Sequence, residues 1–133
     1  MSTETRDRAP TAILSAHVLI VDDDPDVLEM TAAILEDAGC VVTGAADGEG
    51  ALAVLSSPDR VDVMLTDQSM PGLTGVELIA RALSLRPGLP CLLLTGYGEI
   101  VEPGFPIRVV AKPFRAGSLA EAVAQAVADR FPV

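Results

Sequence analysis

Val63-Met64-Leu65-Thr66-Asp67-Gln68-Ser69-Met70-Pro71-Gly72 is the stretch whose reading decides the fold. Four residues of strand-like character end abruptly on an aspartate, and a turn carrying Pro71 and Gly72 follows. A parallel strand buried on both faces reads as a continuous apolar run. Ligands of an open parallel sheet bind beyond the carboxyl ends of its strands. Asp67 therefore stands where such a fold keeps its chemistry. Many strands end in an Asp-containing turn for local reasons alone, so the weight of this reading depends on how the other strands end.

Working outward, His17 to Asp22 is a β-rich apolar run and predicts the first strand. Asp22-Asp23-Asp24 and Pro25 follow it. Asp24 before Pro25 is a helix start, with an N-cap acceptor and proline at the first helical position. Val27, Met30, Ile34 and Ala38 recur at three and four residues, so 25–38 reads as an amphipathic helix, ended by Gly39. Cys40 to Ala45 predicts the second strand. Asp47 caps a helix over 48–57 and Val61 to Thr66 is the third strand. Thr74 opens a helix over 75–85 with Val76, Leu78, Ile79, Ala82 and Leu83 inward; Arg86-Pro87-Gly88 stops it. Pro90 to Thr95 is the fourth strand and Ile107 to Ala111 the fifth. Between them, Gly96 to Pro106 has no helical periodicity and reads as loop or a single turn. Ser118 is read as the cap of a last helix over 119–131, with Leu119, Ala122, Val123, Ala126 and Val127 on one face. Strands alternating with helices imply a parallel sheet covered on both faces.

The composition fits that class. The 133 residues suit one domain, half of them are apolar, and an aromatic content of 3% leaves the core to Val, Leu, Ile and Ala. A net charge of −10 argues against direct DNA binding, because phosphate contacts need clustered Lys and Arg. No apolar run approaches the ~18 residues of a membrane span. Residues 1–16 are polar, lack the apolar centre of a secretory signal, and read as a tail or linker; the cytoplasm is the expected location. The domain itself is expected over 17–133.

The polar strand ends belong together. The first strand gives Asp22 and Asp23, the third Asp67, the fourth Thr95 and the fifth Lys112. If all five strands are parallel, these groups meet on one edge of the sheet. Carboxylates held together repel one another, and burying them unpaired is costly. A hard divalent cation relieves this, and Mg²⁺ favours oxygen ligands shared with a phosphoryl group. A carboxylate nucleophile beside Mg²⁺, a lysine and a hydroxyl is what phosphoryl transfer to aspartate requires.

These residues resemble the receiver domain of two-component response regulators over about 17–131. The motifs are Val-Leu-Ile-Val-Asp-Asp-Asp at 18–24, Leu-Thr-Asp-Gln-Ser-Met-Pro-Gly at 65–72, Leu-Leu-Thr-Gly at 93–96 and Lys-Pro-Phe at 112–114. The resemblance implies a flavodoxin-like α/β fold with a doubly wound parallel sheet of order 2-1-3-4-5, and a cis peptide at Lys112-Pro113. It implies Asp67 as phosphoacceptor, with Mg²⁺ held by Asp22, Asp23, Asp67 and the backbone carbonyl of Ser69. Thr95 would bond the phosphoryl oxygen, Lys112 would pair with it, and Gly96 would leave room for it. Cys40 and Cys91 then lie on strands two and four, roughly 14 Å apart at ~4.8 Å per strand. That is too far for a disulfide, so two thiols serving as small core residues are expected.

Two departures from the family stand out. It usually has an aromatic switch residue three positions before the lysine, where this chain has Val109. Only seventeen positions separate Thr95 from Lys112, and the missing length falls on the fourth helix, which should be shortened or missing. The dimerisation and output surface is thereby reshaped, a homodimer remaining open, in a way similar to receivers of hybrid sensor histidine kinases. Tyr97 is expected to shield the acyl phosphate. The partner implied is a histidine kinase or phosphotransfer protein. With no output domain following, the chain reads as a stand-alone receiver, a phosphate sink or a receiver excised from a longer kinase, with 1–16 a linker remnant. Beyond slow self-catalysed phosphorylation and dephosphorylation no enzyme activity is expected. Two other readings stay open: a haloacid-dehalogenase-type phosphatase using Asp22-x-Asp24, which would leave Asp67 without a role, and a degenerate receiver serving only as a binding module.

Overall fold

The third strand, β3 (Val63–Asp67), is buried at every position and forms the middle of a five-stranded sheet. The structure, a computed structural model, describes residues 15–96, 99 and 107–130. In chain order the elements before β3 are β1 (His17–Val21), α1 (Pro25–Asp37), β2 (Val41–Ala45) and α2 (Gly48–Ser56). After β3 come α3 (Gly75–Leu85), β4 (Cys91–Thr95), β5 (Arg108–Ala111) and α4 (Ala116–Arg130). The strands run parallel in the order β2-β1-β3-β4-β5.

Register and pleat sort the apolar side chains into two cores. Val18, Ile20, Val63, Leu65, Leu92 and Leu94 pack with Leu35 of α1 and Leu119 and Val123 of α4. Leu19, Val21, Met64 and Leu93 point the other way, onto α2 and α3 through Ala51, Leu55, Leu78 and Ile79. Because both faces are covered, the central strands carry apolar residues on both faces up to their carboxyl ends, which is why no alternation marks them in the sequence.

The helix starts follow the sequence closely. The Asp24 side chain accepts from the N–H groups of Asp26 and Val27. Asp47 accepts from Gly50. Thr74 and Glu77 form a reciprocal capping box. Two readings need correction. In α1 the fully buried residues are Thr31 and Leu35, while Met30 is 52% exposed. The face turned to the sheet is centred on Leu28, Thr31 and Leu35; Ile34 and Ala38 of the expected stripe pack at its edge, and Met30 falls outside it. The last helix begins at Ala116, so Ser118 is an exposed residue of its first turn and not its cap. There the Arg115 carbonyl accepts from the Leu119 N–H at 3.0 Å, carrying the helical pattern back past the serine.

Among the described residues there are four helices and none between β4 and β5; the Gly96–Pro106 stretch, apart from Gly96 and Glu99, lies outside them. Val109, at the position of the family's aromatic switch, is 52% exposed on the edge strand. Cys40 and Cys91 are thiols, not a disulfide, and Cys91 lies deep enough in apolar surroundings for its pKa to be pushed up to about 12. Among the described residues no helix is long and apolar enough to cross a membrane.

Candidate functional site

The parallel sheet brings its carboxyl ends to one edge, and the predicted residues gather there. Asp22 follows β1 directly, and Asp67 is the last residue of β3. Oxygens of Asp22, Asp23 and Asp67 all lie within 4.8 Å of one another. Asp23 is exposed, whereas Asp22 is only 4% and Asp67 8% accessible. Lys112 follows β5, and its Nζ stands 2.6 Å from Asp67 Oδ1. Its backbone N–H donates to the Thr95 carbonyl at 2.7 Å, which ties the lysine to the end of β4. The Lys112-Pro113 peptide is cis, as the resemblance implies. Thr95 is buried at its strand end, and Gly96 follows it.

Burial holds the pKa of Asp22 above the usual carboxylate range; the Asp24 N–H and Lys112 oppose this, while the charges of Asp67 and Asp23 add to it. For a carboxyl whose folded pKa is raised, the folded state binds protons more tightly than the unfolded one. Stability is then lost as pH rises from the unfolded value through the folded one, and stays lost above it. With a chelator present at neutral pH, Asp22→Asn is accordingly expected to melt a few degrees above the wild type. Asn can keep the 2.9 Å bond from the Asp24 N–H. The gain should shrink as pH is lowered toward 4, and a thermal scan at several pH values checks it.

Two residues that the sequence did not single out complete the site. Gln68 pins the loop after β3 to α3: its carbonyl accepts from the Gly75 N–H and its side-chain Oε1 from the Val76 N–H, both at 3.0 Å. Gly75 lets that helix come in close, since a Cβ there would stand 2.5 Å from the Asp67 carbonyl oxygen. The second is Glu99. Its carboxylate accepts from the Gly96 N–H and from the Ser69 hydroxyl. It also lines an open cleft of about 510 Å³ with Gln68, Ser69, Met70, Pro71 and Thr74. No periodicity marks either residue; the only signal for Glu99 is an acid just past the Thr95-Gly96 strand end. Tyr97 lies outside the described residues.

The three clustered carboxylates suit a hard divalent cation. They offer only oxygen donors, two of them are withdrawn from water, and one ammonium is the nearest compensating charge.

Comparison with known proteins gives the class. The family described as response regulator receiver domain matches residues 18–124. The chain is 36% identical over 118 residues to the C4-dicarboxylate transport transcriptional regulatory protein DctD of Rhizobium meliloti (strain 1021), across 85% of this chain. It spans only 25% of that relative's length. Among solved structures, a response regulator receiver protein from Sinorhizobium medicae WSM419 superposes with a TM-score of 0.81 at 27% identity, covering 87% of this chain and 97% of the other. The receiver domain of the hybrid histidine kinase CckA superposes with a TM-score of 0.73 at 28% identity, covering 84% and 99%. The chain belongs to the response regulator receiver family and carries the receiver fold of two-component signalling. The phosphatase and pure binding-module readings are not favoured.

Proposed function

We propose that this receiver is phosphorylated on Asp67, with Mg²⁺ held by Asp22, Asp23, Asp67 and the Ser69 carbonyl, by a histidine kinase or phosphotransfer protein. The observation that carries the reading is the Asp67–Lys112 pair, 2.6 Å long, set against the two further carboxylates. A carboxylate oxygen of Asp67 attacks the phosphorus of a phosphohistidine. The P–N bond breaks, its electron pair stays on the imidazole, and an acyl phosphate forms. Lys112 steadies negative charge on the phosphoryl oxygens, and Thr95 offers them a hydroxyl donor. The metal ion, when bound, supplies charge neutralisation between carboxylate and phosphoryl oxygens. Hydrolysis by water returns Asp67 to its carboxylate, so the module resets itself. A cytoplasmic location and action through partners, without direct DNA binding, fit the charge of −10.

The test is intact mass after incubation with acetyl phosphate and Mg²⁺, followed by peptide mapping. One phosphoryl group on the peptide holding Asp67, removed by hydroxylamine, is the expected result. A phosphoryl group on Asp22, or none with the metal bound, would overturn the assignment.

A further inference from the structure

The open side of Gly96 is where the resemblance makes room for the phosphoryl group, and it is occupied. Among the described residues, a Cβ built at Gly96 would meet only the Glu99 side chain, with Oε1 at 3.5 Å and Cδ at 3.9 Å. The same carboxylate takes the Gly96 N–H on one oxygen and the Ser69 hydroxyl on the other. It thereby bridges the end of β4 and the loop that follows Asp67. Lys112, already paired with Asp67, attracts it as well. A carboxylate seated on a backbone N–H and a hydroxyl, near a lysine, uses the kind of donors a phosphoryl group would use.

We propose that Glu99 is a built-in anionic stand-in for the phosphoryl group, which the incoming phosphoryl group must displace. The proposal rests on Asp67 being the phosphoacceptor. It makes Glu99 a positioning residue with two effects. Its negative charge disfavours the approach of an anionic donor to a site that already holds three carboxylates. Its hydrogen bonds tie the two loops together in the unphosphorylated state, and phosphorylation frees the carboxylate from both. The charge effect needs only the carboxylate, whereas the tether needs the whole side chain, so Gln and Ala separate them.

The experiment measures the beryllofluoride concentration that half-saturates the site in Mg²⁺, by ¹⁹F NMR, for wild type, Glu99→Gln and Glu99→Ala. Acetyl-phosphate labelling of Asp67 is followed in the same three proteins. Half-saturation is expected at about fivefold lower concentration in Glu99→Ala, with Glu99→Gln between the two. The gap between wild type and Glu99→Gln should narrow in ~1 M salt, where charge is screened within about 3 Å. A structural role for Glu99 would not produce that salt dependence. Equal half-saturation in all three proteins, with Asp67 labelled in each, overturns the stand-in and leaves the phosphoacceptor reading intact. Failure of all three to be labelled or to take beryllofluoride overturns both. Glu99 lies at the surface of the site, and equal melting temperatures establish that the variants are folded.

Discussion

Asp67→Asn will gain no phosphoryl group from acetyl phosphate, its labelled fraction falling by at least about a hundredfold, while the protein stays folded. An amide of the same size fills the space but lacks the nucleophilic oxygen anion. Asp22 is no substitute: it follows the neighbouring strand, one of its oxygens is held by the Asp24 N–H, and the direct ion pair of Lys112 is with Asp67. Stability should change little. Losing the ion pair with Lys112 is offset by removing one of three mutually repelling carboxylates. Intact mass and a melting curve on the same sample check both halves. Residual labelling at Asp22 or Asp23 would mean that the cluster is less selective than the lysine contact implies.

Leu65→Ala should cost about 2–5 kcal/mol, a large share of the roughly 5–15 kcal/mol that holds a domain together. Leu65 is fully buried in the central strand, with Ile20 and Leu92 as its neighbours across the sheet. Strand backbones on both sides are fixed by the ladder, so the space left by the side chain has little freedom to collapse. A fall in melting temperature of roughly 8–20 °C is expected. Met30→Ala is the matched control: an apolar side chain of similar size, half-exposed on α1, whose loss should cost under about 0.5 kcal/mol. Urea unfolding of both variants measures the difference. Similar losses would mean that α1 docks more tightly than its exposure indicates.

The contrast between Leu65 and Met30 also shows what a sequence reveals. Four of the five strands were legible because a short apolar run ends on or just before a polar residue, and those ends form the candidate site. Helix starts were legible where a side chain caps them, as at Asp24 and Thr74. The centre of the inward face of α1 was not, since Val27 and Met30 continue the spacing of Ile34 and Ala38, which do pack, while the deepest positions are Thr31 and Leu35. The start of α4 was missed for a related reason. A serine three residues inside a helix looks like a cap until the Arg115 carbonyl is seen to carry the pattern. Glu99 and Gln68 were missed because their roles are contacts across loops. One reaches from the end of β4 to Ser69, and the other from Asp67's own loop to α3.

Asp22, Asp67, Thr95 and Lys112 are contributed by four different strands, with ninety positions between the first and the last. No local piece of the chain holds a partial version of their arrangement. Lys112 arrives last in the sequence, on an edge strand that can pair only after β4 is in place. A nascent chain that has not yet reached Lys112 therefore lacks the contact with Asp67 altogether, with no weakened version of it. Signalling competence in such a molecule is a report that the whole sheet has closed.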